Sequence, residues 1–172
     1  MRETITIVGM MGAGKSYIGK ALAQKLGYEF YDSDAFIVER EGKTVTQIFS
    51  EDGEKYFRGI EASSISELLD KKKCVISTGG GALICNKTLQ NIKDKSVSIW
   101  LKSDIGSILD RIKNNLERPL LQCDNPREKL EELLDQRINL YNQSDIHVNN
   151  SSLGRQEVVQ QIVQELHKYE KN

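Results

Sequence analysis

Gly9-Met10-Met11-Gly12-Ala13-Gly14-Lys15-Ser16 constrains this chain more than any other segment. Its spacing, G-x-x-x-x-G-K-[ST], is that of a phosphate-binding loop. Glycines let backbone N–H groups converge on phosphate oxygens without Cβ clashes. Lys15 adds a point charge for the β- and γ-phosphates, and Ser16 offers a hydroxyl to Mg2+. A helix starting here adds the positive end of its dipole. The flanks supply the required context. Thr4-Ile5-Thr6-Ile7-Val8 ahead of the loop is β-branched, as a buried parallel strand should be. Behind it, Ile18, Ala21, Leu22 and Leu26 recur at helical spacing before Gly27, a residue suited to the C′ position. The bland alternative is a glycine-rich turn with no ligand. The strand–loop–helix order argues against it.

Strand patterns fall at 3–8, 28–31, 74–78, 96–101 and 145–148. Helical patterns fall at 15–26, 34–41, 45–50, 54–70, 86–93, 104–115, 126–143 and 154–169. This alternation predicts an α/β fold of three layers, α/β/α, around a five-stranded parallel sheet. The 172 residues fit a single domain, 1–172. A formal net charge of -1 gives no basic field, so no nucleic acid partner is expected. No apolar run approaches spanning length and no leader precedes the first strand, so the expectation is a cytoplasmic chain with no membrane partner. Cys74, Cys85 and Cys123 are odd in number and lack C-x-x-C spacing; they read as reduced thiols.

Ligands of such sheets bind outside the carboxyl ends of the strands. Besides the loop, two segments there carry chemistry. Asp32-Ser33-Asp34 follows the second strand. If the chain stays extended, both carboxylates point the same way: one to hold Mg2+, the other to accept a substrate proton. Asp34 is also a candidate N-cap for a helix over 35–41. Gly79-Gly80-Gly81 ends the third strand and permits close backbone approach to a ligand, or simply a sharp loop. A polar connection, Leu116 to Pro126, contains Arg118, with Asn125-Pro126 reading as an N-cap followed by Pro at N1. It is either an ordinary helix–helix link or a lid that closes over nucleotide.

Helical-wheel arithmetic adds a separate signal. In 126–143 the apolar stripe is Leu130, Leu133, Leu134, Ile138 and Tyr141, and Arg137 lies in its middle. In 54–70 the stripe of Phe57, Ile60, Ser64, Ile65, Leu68 and Leu69 contains Arg58 and Glu61, spaced to pair. Structural ion pairs would explain these charges. Two inward arginines in a phosphate-binding domain point instead to an anionic ligand, whose carboxylate the guanidinium fork matches.

Together these segments resemble shikimate kinase over nearly the whole chain. The residues carrying the resemblance are Met11–Ser16, Asp32-Ser33-Asp34, Ile48-Phe49, Gly53-Glu54, Phe57-Arg58 with Glu61, Thr78-Gly79-Gly80-Gly81 and Arg118-Pro119-Leu120-Leu121. The resemblance implies a P-loop kinase fold with a mobile lid at 116–125 and a substrate-binding segment at 33–61. It implies transfer of the γ-phosphoryl group of ATP to the 3-hydroxyl of shikimate, in aromatic amino-acid synthesis, by a monomer. It assigns Gly12, Ala13, Gly14, Lys15, Ser16, Tyr17, Arg111 and Arg118 to ATP, with Arg111 stacked on adenine. Ser16 and Asp32 organise Mg2+, the aspartate through water. Asp34, Phe49, Phe57, Arg58, Gly79, Gly80, Gly81 and Arg137 take shikimate, the two arginines holding its carboxylate. Lys15, Asp34 and Arg118 are the catalytic group.

The chain departs from the pattern in places. Tyr17 stands where a small hydroxyl residue usually follows Ser16, and Val38 replaces an acidic residue. The Asn/Ser-rich segment 149–154 matches no motif. Rival readings are another small-molecule kinase, for gluconate or a nucleotide, and a nucleotide switch without chemistry. Asn86-Lys87-Thr88-Leu89 fails the guanine-reading N-K-x-D pattern, because Leu89 replaces the aspartate.

Overall fold

The computed structural model describes residues 2–112 and 123–171. Five parallel strands form one sheet: β1 (Thr4–Val8), β2 (Glu29–Asp32), β3 (Cys74–Ser77), β4 (Ser96–Lys102) and β5 (Ile146–Asn149), in the order β2-β3-β1-β4-β5. The helices among the described residues are α1 (Lys15–Leu26), α2 (Ser33–Glu41), α3 (Val45–Glu51), α4 (Gly53–Leu68), α5 (Asn86–Lys95), α6 (Ile105–Ile112), α7 (Pro126–Tyr141) and α8 (Arg155–Lys171). A short 3-10 turn, Ala82–Ile84, follows the glycine triplet; its three residues are too few for a sequence pattern.

Strand side chains alternate between the faces. Ile5, Ile7, Val75, Ile99 and Leu101 pack against Ile18 and Leu22 of α1 and Val158, Ile162 and Leu166 of α8. Val8, Ile76 and Trp100 pack on the opposite face against Ile65 and Leu68 of α4, Ile92 of α5 and Leu130 and Leu133 of α7. This produces the three layers. Each fully buried aliphatic side chain contributes about 1.5–3 kcal/mol. A smaller cluster of Ile37, Ile48 and Phe57 ties α2, α3 and α4 together beside the sheet.

Local signals set the boundaries. Gly27, at φ 69, closes α1, with its own N–H bonded to Gln24 O and that of Tyr28 to Ala23 O. Thr44 and Gln47 form a capping box at α3, and Asn125 caps α7 with Pro126 in its first turn. Asp32, rather than Asp34, caps α2: its Oδ1 accepts from Asp34 N at 3.0 Å and Ala35 N at 3.2 Å. The helix starts at Ser33, so the chain is not extended through the pair, and Asp34 sits in the first turn of α2. The α7 stripe is also narrower than expected. Leu130, Leu133, Arg137 and Tyr141 are buried, whereas Ile138 is exposed.

Register positions the site. β1 pairs with β3 so that Ile7 stands opposite Ser77, and β2 pairs with β3 so that Asp32 stands opposite Ser77. The segments after these three strands therefore meet at one end of the sheet.

Candidate active site

A groove of about 240 Å3 opens where those segments meet. Gly12, Gly14, Lys15, Ser16 and Tyr17 line one side, and Asp32, Asp34, Gly79 and Gly80 another, with Arg111 at the edge. A larger groove of about 800 Å3 lies at the opposite end of the strands, floored by Ile5, Leu26, Val97 and Leu166. It has no phosphate loop, so chemistry selects the smaller one.

The loop needs its glycines. Gly9, Gly12 and Gly14 sit at φ 144, 75 and 89. A Cβ on Gly9 would stand 2.6 Å from Leu101 O. Lys15 is buried and donates to Met10 O at 2.8 Å, a bond that arches its side chain back over the loop. Ser16 Oγ donates to Asp32 Oδ2 and lies 3.1 Å from Ser77 Oγ. The first turn of α1 and the ends of β2 and β3 thus each bring an oxygen to one place.

The glycine triplet is where the charges converge. A Cβ on Gly79 would lie 2.6 Å from Glu61 Oε1 and 3.1 Å from Asp34 Oδ1. One on Gly80 would lie 2.9 Å from Met11 N and 3.6 Å from Arg137 Nη1. One on Gly81 would lie 2.5 Å from Arg58 Nη2. The triplet is anchored from both sides: Gly79 N donates to Ser33 Oγ at 3.2 Å, and the Tyr141 hydroxyl donates to Gly80 O. Burial pushes the Tyr141 phenol up to about 12, although Arg137 beside it pulls the other way. Tyr141 is thus held as a donor.

The two inward arginines differ. Arg58 Nη1 donates to Glu61 Oε2 at 2.7 Å, and Nη2 to Glu54 Oε1 at 3.3 Å. Burial pushes the Glu61 carboxyl up, Arg58 opposes that shift, and Asp34 adds to it. Arg137 is only 4% exposed, and its Nε and Nη1 find no hydrogen-bond partner among the described residues. A buried cation with spare donors is costly unless an anion comes to it.

Phe49 and Phe57 pack with their rings tilted by 44° at a centroid separation of 4.7 Å on the α2–α4 side; they pack on one another and do not line the groove. Tyr17 is 60% exposed at the groove, with the Arg155 guanidinium 4.7 Å over its ring. Arg111 reaches back to the loop, its Nη1 3.4 Å from both Gly12 O and Ala13 O. Arg118, and with it most of the lid at 116–125, lies outside the described residues. Four residues at the site escaped the sequence reading: Ser33, Ser77, Tyr141 as a tether, and Asn150, whose amide donates to Ala13 O at 2.6 Å. A buried polar residue beside a loop motif was the available signal, and burial is not visible in sequence.

A sequence model of the shikimate kinase family matches residues 11–167. The chain belongs to the shikimate kinase family. A shikimate kinase of Ruegeria pomeroyi is 42% identical over 86% of this chain and 76% of its own length. That of Thermodesulfovibrio yellowstonii is 37% identical over 95% and 94%. The solved structure of the Acinetobacter baumannii shikimate kinase in complex with shikimate superposes with a TM-score of 0.94, at 35% identity, covering 96% of this chain and 93% of that one. The expected α/β architecture is therefore that of the shikimate kinase family, and the activity is that of an ATP-dependent kinase. Among the described residues, no helix is long and apolar enough to cross a membrane.

Proposed function

We propose that this chain transfers the γ-phosphoryl group of ATP to the 3-hydroxyl of shikimate, giving shikimate 3-phosphate and ADP, with Mg2+ as the metal. The observation carrying this reading is Arg137: a buried guanidinium with spare donors, beside the glycine triplet and next to a phosphate loop. A carboxylate on the acceptor supplies its missing partner in a bidentate match. Arg58, steadied by Glu61, offers a second cation from α4. Gly79, Gly80 and Gly81 admit the ring closely, and Phe49 and Phe57 back the α2–α4 wall.

The oxygens of Ser16, Asp32 and Ser77 suit a hard cation that keeps several waters and takes its remaining ligands from phosphate. Ser16 and Asp32 would hold the ion, and its charge would offset that of the β- and γ-phosphates. Phosphoryl transfer asks the protein chiefly for in-line positioning and charge neutralisation. Asp34 accepts the hydroxyl proton as the new O–P bond forms and the bond to ADP breaks. Lys15 meets the β/γ oxygens with the Gly12, Ala13 and Gly14 segment, and Tyr17 and Arg111 take the nucleotide side. Arg118 in the lid supplies a further positive charge to the transferred group, and closure excludes water. The reading covers a single domain, 1–172, with substrate side 33–61 and lid 116–125, acting as a cytoplasmic monomer; family membership is its support.

The test is ADP release in a coupled assay with Mg-ATP, using shikimate, quinate and gluconate as acceptors. Strong stimulation by shikimate alone is expected. Slow release indifferent to every acceptor would sink the reading and favour a nucleotide switch. Stimulation by gluconate would move it to another kinase substrate.

A further inference from the structure

Asn150 follows β5 in a segment that matches no motif, yet it is only 6% exposed. Its backbone is fixed on both sides. The N–H donates to Lys102 O at 2.7 Å, extending the β4–β5 pairing, and the carbonyl accepts from Arg111 Nη2 at 2.8 Å. Its side-chain amide donates to Ala13 O at 2.6 Å. A Cβ on Gly14 would lie 3.1 Å from that same amide nitrogen. Arg111 meets the loop carbonyls of Gly12 and Ala13 from its other arm and is braced by Ser103 Oγ at 2.9 Å. The next residue continues the junction: Ser151 Oγ accepts from Asp104 N at 2.9 Å, at the start of α6.

A trans peptide carries its C=O and N–H on opposite sides. Holding the Ala13 carbonyl against Asn150 therefore turns the Gly14 N–H away from Asn150, toward the groove that Gly14 and Lys15 line. Gly14 is at φ 89, where a glycine peptide has other wells within easy reach. Flipping this one would leave a buried amide donor unpaired.

We infer that Asn150 is a positioning residue for the nucleotide: its amide sets the Ala13–Gly14 peptide so that the Gly14 N–H faces a phosphate, and its carbonyl seats Arg111 at the loop's edge. The inference rests on the nucleotide-binding reading above. Asn150→Ala removes the amide and keeps both backbone bonds. Asn150→Asp keeps the shape but cannot donate, and it adds a negative charge.

Calorimetric titration of the intact proteins with Mg-ADP, and separately with shikimate, tests this. The wild type binds both. Asn150→Ala weakens Mg-ADP about tenfold, the scale of one lost hydrogen bond in a charged site, and leaves shikimate unchanged. Asn150→Asp weakens Mg-ADP more than Asn150→Ala does. Equal Mg-ADP affinity in all three proteins overturns the inference, as does parallel loss of both ligands. A wild type that binds no Mg-ADP overturns the nucleotide reading itself. A measurement on the wild type alone covers variants that fail to fold: the Gly14 amide proton resonance should move downfield when Mg-ADP is added. A stationary resonance in a protein that binds Mg-ADP overturns the inference.

Discussion

Arg137 Nη1 stands 3.6 Å from where a Cβ of Gly80 would be, and among the described residues two of its guanidinium nitrogens find no hydrogen-bond partner. On the proposed reading the fold carries this cost for the ligand. Arg137→Met, similar in length and apolar, should therefore separate function from stability. We expect kcat/KM for shikimate to fall about a hundredfold, as for a lost two-point charged contact. The KM for ATP should hardly move. Without ligand, the variant should be more stable by about 1 kcal/mol or more, since unpaired buried donors disappear. Urea unfolding and steady-state kinetics check both halves. A variant that is less stable and equally active would mean that Arg137 is a structural residue.

Glu61 predicts a pH dependence. Burial raises its carboxyl in the native protein despite Arg58, so the folded state holds the proton more tightly than the unfolded chain does. Its contribution to stability is greatest below the unfolded value of about 4.3. That contribution falls as pH rises to the raised native value and is level above it. Glu61→Gln lacks this slope. The stability difference, wild type minus variant, should be largest near pH 4 and shrink toward neutrality. Unfolding curves at several pH values read it directly. A difference that grows with pH would show Arg58 dominating burial.

The sheet, its helices and the phosphate loop were legible because each rests on a local rule: β-branched runs, the 3.6 period, caps and glycine spacing. Arg137 was legible by arithmetic, since it falls inside the α7 stripe. Ile138 was misplaced because neighbouring residues lie 100° apart and the stripe's edge depends on what packs there. Asp32-Ser33-Asp34 offers three cap-capable residues in succession. Asp32 is the one that caps, at the end of a strand whose pairing sets it opposite Ser77, and that pairing is a long-range fact. Asn150 and Tyr141 were invisible as anchors for the same reason. Their partners, Ala13 and Gly80, are remote in sequence.

Two neighbouring glycines should fail differently. Neither Gly80 nor Gly81 sits at positive φ, so alanine is strained at neither by conformation. At Gly80 the new methyl would press on the Met11 backbone nitrogen at 2.9 Å, and main chain yields poorly. Gly80→Ala should cost about 1–3 kcal/mol of stability, as overpacking does. At Gly81 its nearest neighbours would be the end of the Arg58 side chain, a flexible group that can shift. Gly81→Ala should keep its melting temperature within a few degrees and raise the KM for shikimate about tenfold, the scale of one charged hydrogen bond. Thermal scans beside kinetics decide it. Similar melting temperatures for the two variants would contradict the distinction.

Asp32 serves two purposes that substitution can separate. It caps α2 through Oδ1, and through Oδ2 it accepts from Ser16 at the proposed metal site. Asparagine caps helices about as well as aspartate does, whereas alanine forfeits about 1 kcal/mol. A neutral amide is nonetheless a poor partner for a divalent cation. Asp32→Asn should therefore retain the wild-type stability to within about 0.5 kcal/mol while needing roughly tenfold more Mg2+ for half-maximal rate, one charge-assisted contact being worth about that factor. Asp32→Ala should lose both stability and metal affinity. Titrating Mg2+ at saturating ATP and shikimate, alongside urea unfolding, separates the cases. If Asp32→Asn saturates at the wild-type Mg2+ concentration, the carboxylate is a helix cap alone and the metal is held elsewhere.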